Sequence, residues 1–178
     1  MSEFIGWIFT PENRRVGIQG EREAVRVIKS VLREGNQLFT NVSVECDGKR
    51  SELDAVIVNE YGVFIIEVKN YSGRLIGGED DFEWEKYKTT AAGNTYSKIV
   101  KNPIKQVKRQ IFILARFLDC HGIKVWVDGY VNLLERNSPV ISNYILTSTF
   151  DIDCAIHTEG KKKLTPLEVN KIVELLLV

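Results

Sequence analysis

Residues 51–73 read "SELDAVIVNEYGVFIIEVKNYSG", two apolar runs joined at the turn signal "NEYG" of residues 59–62. Centring a hairpin there pairs Asn59 with Gly62 and, further along, sets Asp54 directly opposite Glu67. Cβ atoms of such facing residues lie about 4.5–5.5 Å apart. Side chains alternate along a strand, so Lys69 shares the face of Glu67 with Val56, Val58, Val63 and Ile65. Ala55, Ile57, Phe64 and Ile66 take the other face. With both faces apolar, the hairpin is expected in the covered centre of a sheet, with the acids at its mouth.

Two like charges facing each other destabilise a sheet, and burial increases the cost. Lys69 is one group that offsets it, in a structural ion pair at a strand end. A divalent cation is the other. Two carboxylates meet one lysine here, and a third acid, Glu21, stands on the first helix. That excess of acid favours the cation.

The chain of 178 residues suits one domain, and 44% hydrophobic with 27% charged residues is ordinary for a soluble globular protein. A formal net charge of zero excludes a globally basic, DNA-coating protein but not a local nucleic-acid site. Cys46, Cys120 and Cys154 are odd in number and form no CxxC pair. A disulfide framework or zinc ribbon is not expected, and a reducing cytoplasm is. With only His121 and His157, any metal would be oxygen-ligated: magnesium, manganese or calcium. The start, "MSEFIGWIF", is too short to span a bilayer and lacks a signal-peptide pattern. Residues 1–16 are expected to pack on a single domain formed by residues 17–178, rather than to contact a membrane or partner.

"GIQGEREAVRVIKSVLREGN" has helical periodicity ending at Gly35, with Val25, Ile28 and Leu32 on one stripe. Glu21 extends that stripe and is expected to face inward, as a helix-end anchor or a ligand. Glu23 falls instead with Arg26 and Ser30. "QLFTNVSVECDG" reads as a strand, and residues 71–97 as a short extra hairpin followed by a loop. A second helix opens with Asn102 as N-cap and Pro103 as first residue. Its stripe is Ile104, Val107, Ile111, Leu114, Ala115 and Leu118, and Gly122 ends it. "KVWVDGYVNLL" and "NYILTS" read as strands, and "TPLEVNKIVELLLV" as a closing helix capped by Thr165. The order predicts a mixed α/β domain.

An acid, a hydrophobic strand and turn, and then Glu-x-Lys resemble the PD-(D/E)xK nuclease superfamily, here "LD" at 53–54 and "EVK" at 67–69. "GERE", "SELDAVIV", "GVFIIEVKNYSGRL", Trp84 and "NPIKQ" together resemble the nuclease-related domain (NERD) family from about Gly17 to Leu118. Leu53 stands where the superfamily's name has proline. The resemblance implies a restriction-endonuclease-like core, a central mixed β-sheet flanked by helices. It also implies that Glu21 is the acid of the first helix, Asp54 and Glu67 the metal-binding acids, and Lys69 the motif lysine. Gln106 looks like the glutamine that accompanies this motif.

The implied activity is Mg²⁺- or Mn²⁺-dependent phosphodiester hydrolysis, of DNA first, with RNA not excluded. Asp54, Glu67, the Val68 carbonyl and Glu21 would hold the cation, and Lys69 would orient or deprotonate water or pair with phosphate. The alternative is a non-catalytic nucleic-acid or protein interaction module on the same fold. From Lys86 to Lys124 there are nine Lys or Arg and one acid, Asp119, whereas Glu45 to Glu85 holds eleven acids and four bases. Within the basic segment, Lys98, Lys101, Lys105, Lys108 and Arg109 would track phosphates, or else form a solvated helix face. Trp84, Tyr87 and Tyr96 would stack on bases or pack internally.

Overall fold

The structure, a computed structural model, describes residues 11–134, 140–159 and 163–177, with side chains of the first helix from Gln19 onward. Helix α1 (Pro11–Val31) is followed by strands β1 (Gln37–Cys46), β2 (Lys49–Asn59) and β3 (Gly62–Lys69). Short strand β4 (Arg74–Ile76), β5 (Glu83–Thr89) and β6 (Thr95–Lys101) come next. Then run α2 (Pro103–Cys120), β7 (Val127–Leu133), β8 (Ile145–Leu146), α3 (Thr149–His157) and α4 (Pro166–Leu176).

The main sheet has the order β1-β2-β3-β7-β8. Its first three strands are antiparallel neighbours, whereas β3–β7 and β7–β8 are parallel, so the sheet is mixed. This is an α/β fold with a central mixed sheet flanked by helices. The β2–β3 register, Ala55 opposite Ile66 through Asn59 opposite Gly62, follows the turn and ends one step short of Asp54 and Glu67.

The two faces of the hairpin build two cores. Val56, Val58, Val63 and Ile65 pack beneath α2 and Ile172 of α4, together with Trp84. Ala55, Ile57, Phe64 and Ile66 pack against Ile28 of α1 and Ile152 and Ile156 of α3. Each fully buried isoleucine here contributes roughly 1.5–3 kcal/mol. Trp84 is one of the largest of these buried side chains, its indole N–H bonded to the Gly78 carbonyl at 2.9 Å. Gly77 is required beside it, because a Cβ there would meet the indole at 2.2 Å. Trp84 is a core residue.

One departure from alternation shapes the site. Leu53 and Val56 are three residues apart yet belong to the same core, so β2 changes face across Asp54. The facing strand does the same: Asn41, with φ of 54°, interrupts the pairing between Thr40–Ala55 and Val42–Leu53. The expectation that Asp54 continues the Val56 face is corrected, since the local twist turns it toward α1.

Other elements also differ from expectation. Helix α1 begins at Pro11 rather than near Gly17, so the boundary drawn at residue 16 falls inside it. The packing expected of residues 1–16 lies largely outside the described residues. The loop expected after the extra hairpin is strand β6, which completes a three-stranded antiparallel sheet β4-β5-β6. It is exposed along almost its whole length, so no apolar period marks it in the sequence. Helix α3, capped by Ser148, was not foreseen, although Ile152 and Ile156 have helical spacing.

Candidate metal and phosphodiester site

Glu67, at the end of β3, is 2% exposed and is held by three donors. Lys69 Nζ reaches its Oε1 at 2.5 Å and Gln106 Nε2 reaches the same oxygen at 2.6 Å. Gln110 Nε2 donates to Oε2 at 2.6 Å and to the Glu52 carbonyl at 3.1 Å. Helix α2 brings both glutamines to the acid because they are four residues apart, one turn along the same face. Its start is fixed by Asn102, whose side chain accepts from the Ile104 amide.

Asp54 lies on the α1 side of the strand pair. Its Oδ2 accepts the Val68 N–H at 2.8 Å. Burial, and then the negative charge of Glu67, push the Asp54 carboxyl up to about 6; the Val68 hydrogen bond and Lys69 partly offset this. Burial works to lower the Lys69 pKa, but the charge and hydrogen bond of Glu67 outweigh it, with Tyr71 and Asp54 adding to the rise. Lys69 is therefore held as an ammonium.

A cavity of about 420 Å³ opens between α1 and the sheet, lined by Glu21, Asp54 and Val68 together with Asn41. Glu21 reaches this cavity but is exposed, which corrects its expected inward position. The buried side of α1 runs through Ala24 and Ile28, and four residues earlier that side carries Gly20. A Cβ on Gly20 would come within 2.8 Å of Asn70 Cβ, so the helix packs closely onto the end of β3 there. Glu21 stands at the rim beside it and its charge bears on Asp54. Glu23 points away, paired with Arg26 at 3.3 Å.

Asp54, Glu67, Val68, Lys69 and Gln106 thus come together, with Glu21 at the rim. Gln110 escaped the sequence reading; its signal is a glutamine interrupting the stripe between Val107 and Leu114. Carboxylates and a main-chain carbonyl are the ligand types that a hard divalent cation takes, and a cation would relieve the repulsion within the acid pair. Glu21, Asp54 and Glu67 do not have ligand atoms all within 4.8 Å of one another, unlike Cys46, Asp47 and Cys120. That cysteine group lies at the far end of α2, where the two sulfurs approach to 2.9 Å and Asp47 pairs with Arg116.

The basic residues divide. Lys101, Lys105 and Arg109 line a second cavity of about 840 Å³ on the α2 side, into which Gln106 and Gln110 also face. Arg50, on β2, joins them there. Lys108 turns away, bonded to Glu79 at 2.9 Å and lying over the Tyr144 ring at 4.7 Å. Lys98 sits on β6 opposite Lys86, in the outer sheet.

The nuclease-related domain model matches residues 16–134, two thirds of the chain and the whole stretch that builds this site. The chain belongs to the NERD (nuclease-related domain) family. Within that class it is similar to the uncharacterized protein pXO1-01 of Bacillus anthracis, 30% identical over 69 residues. That match covers 38% of this chain and 32% of the relative, so it spans about a third of the relative's length. A solved structure, the protein of unknown function AF1548, aligns over 89% of this chain and 67% of its own. The two share 15% identity at a TM-score of 0.35.

Proposed function

We propose that the protein is a metal-dependent nuclease that hydrolyses phosphodiester bonds, of DNA in the first instance, and acts in the cytoplasm. The observation that carries this reading is the group formed by Asp54, in the middle of β2, with Glu67 and Lys69 at the end of β3. It combines two acids with a lysine kept protonated. No helix among the described residues is long and apolar enough to cross a membrane.

A Mg²⁺ or Mn²⁺ ion would be held by Asp54, Glu67 and the Val68 carbonyl, with Glu21 taking a metal-bound water, and would neutralise charge growing on the phosphate. The remaining chemistry belongs to the chain. Lys69, as an ammonium, donates to phosphate oxygen or orients the attacking water rather than removing its proton. Gln106 and Gln110 hold Glu67 in one rotamer, and the exposed Gln106 amide also has a donor for a phosphate oxygen. Lys101, Lys105 and Arg109 supply positive charge next to the site, whereas Lys108 is committed to Glu79.

The test is purified protein with labelled linear, circular, single-stranded and branched DNA, and with RNA, each with and without Mg²⁺ or Mn²⁺. Cation-dependent cleavage that Glu67→Gln abolishes is the expected result. Binding without cleavage under all these conditions would instead assign a non-catalytic interaction module.

A further inference from the structure

The 840 Å³ groove on the α2 side has a feature that phosphate binding alone does not use. Phe82, in the β4–β5 connection, forms part of its wall and is 83% exposed. Lys105 Nζ sits 4.5 Å from the centre of its ring. An aromatic ring left in water beside a cation is a poor element of a folding core but a ready stacking platform.

Lys105 and Arg109 stand four residues apart on α2, and Lys101 closes β6 just before the helix. One such interval along a helix advances about 6 Å, the scale of one nucleotide step. Arg50, on β2, adds a further cation to the groove; of the two acids that line it, Glu52 pairs with Arg50 at 3.7 Å and Glu83 stands across the strand pair from Lys101. Gln106 and Gln110 line this groove and at the same time bond Glu67, so a strand lying in it passes the acid site.

We propose that this groove binds a single-stranded segment of nucleic acid, one unpaired base stacking on Phe82 while adjacent phosphates lie against Lys101, Lys105 and Arg109. A blunt duplex buries its base faces within its own stack and cannot use Phe82. The inference rests on the nuclease reading for the meaning of the site, but binding in the groove does not require cleavage.

Fluorescence anisotropy of the full chain in EDTA separates the two. The probes are a labelled single-stranded DNA oligonucleotide, its RNA counterpart and the blunt DNA duplex of the same sequence. The single strands are expected to bind about 10-fold or more tightly than the duplex. Phe82→Ala should weaken single-strand binding about 10-fold, within the range for loss of one base–aromatic stack. The ratio of single-strand to duplex affinity would then fall towards one, and Phe82→Trp should restore it. Arg109→Ala should weaken every probe and flatten the salt dependence. Circular dichroism checks that the variants fold. Duplex binding equal to or tighter than single-strand binding, absence of binding to all three probes, or an unchanged ratio in Phe82→Ala each overturns the proposal. A preference between the DNA and RNA single strands identifies the natural sugar. Phe82-dependent single-strand binding with no cleavage in Mg²⁺ or Mn²⁺ would retain the groove and reject the nuclease reading. Cleavage of duplex with no single-strand preference would do the reverse.

Discussion

Gln110 Nε2 donates to Glu67 Oε2 at 2.6 Å, and Gln106, one turn earlier on α2, donates to Oε1 at the same distance. A helix packed on one face of the sheet therefore fixes both oxygens of a carboxylate at the end of a central strand. The two glutamines differ in burial: Gln110 is 1% exposed, and Gln106 is open to solvent.

That difference predicts different costs. Gln110→Leu leaves a buried carboxylate oxygen and the Glu52 carbonyl without this donor, which should destabilise the protein by about 1–3 kcal/mol. Gln106→Ala should cost less than Gln110→Leu, because Lys69 still bonds the oxygen that Gln106 leaves and water reaches the exposed site. Urea denaturation measures both. Equal losses would show that Gln110 does not bear the buried end of the network.

Asp54 gives a pH-dependent prediction. Its carboxyl titrates near 6 in the folded protein, against an ordinary value of 3.8. The folded state thus binds the proton more tightly than the unfolded state, and stability falls as pH rises from about 4 to about 6. The destabilisation at neutral pH reaches at most about 3 kcal/mol. Asp54→Asn keeps an acceptor for the Val68 amide, so in EDTA it should melt above wild type at pH 7.5 and the gap should close near pH 4. Melting curves across that range decide it; a variant less stable than wild type at pH 7.5 would remove the charge-repulsion account.

Cation binding should show the opposite dependence on the acids. Calorimetry with Mn²⁺ should detect binding to the wild type that Asp54→Ala and Glu67→Ala each weaken by about 10-fold or more, the loss of one charged ligand. Wild-type affinity in both variants would place the cation elsewhere.

Lys69 is predicted to matter to cleavage more than to cation affinity. Lys69→Ala should lower cleavage roughly 100-fold or more, the scale for loss of one donor to developing charge. It should still bind Mn²⁺, because Glu67 keeps its two amide donors. Lys69→Arg retains a charge but not the compact ammonium, and should recover only part of the rate. Single-turnover assays on a substrate that the wild type cuts provide the measurement, and a wild-type rate in Lys69→Ala contradicts the role.

What the sequence discloses follows from how local its causes are. The β2–β3 register and its two faces were legible because a four-residue turn fixes the pairing and period-two alternation fixes the sides. The face change at Asp54 was not, since it depends on Asn41 entering the left-handed region on the neighbouring strand. Lys101 and Lys108 look alike in sequence, but only a distant partner, Glu79, takes Lys108 out of the groove. Cys46 and Cys120 meet through the packing of α2 beside β1, which no CxxC spacing announces. Gln110 was in view all along, as the polar interruption of an apolar stripe.

The phase of α1 carries the last prediction. Glu21 and Glu23 are two residues apart, so their side chains are separated by about 200° around the helix. Glu21 lines the cavity with Asp54, whereas Glu23 pairs with Arg26 on the exposed side. Because Glu21 is exposed, it is placed to act through water rather than as a buried ligand, and its contribution should be graded. Glu21→Gln keeps the side chain's size and removes its charge, and should lower cation-dependent cleavage roughly 10-fold, less than the roughly 100-fold or more of a group that itself transfers the proton. Glu23→Gln loses an exposed ion pair worth at most about 1 kcal/mol and should cleave as the wild type does. Cleavage rates of the two variants at saturating Mg²⁺ make the comparison. If Glu23→Gln is the impaired variant, α1 presents a different side to the cavity and Glu21 has no part in the site.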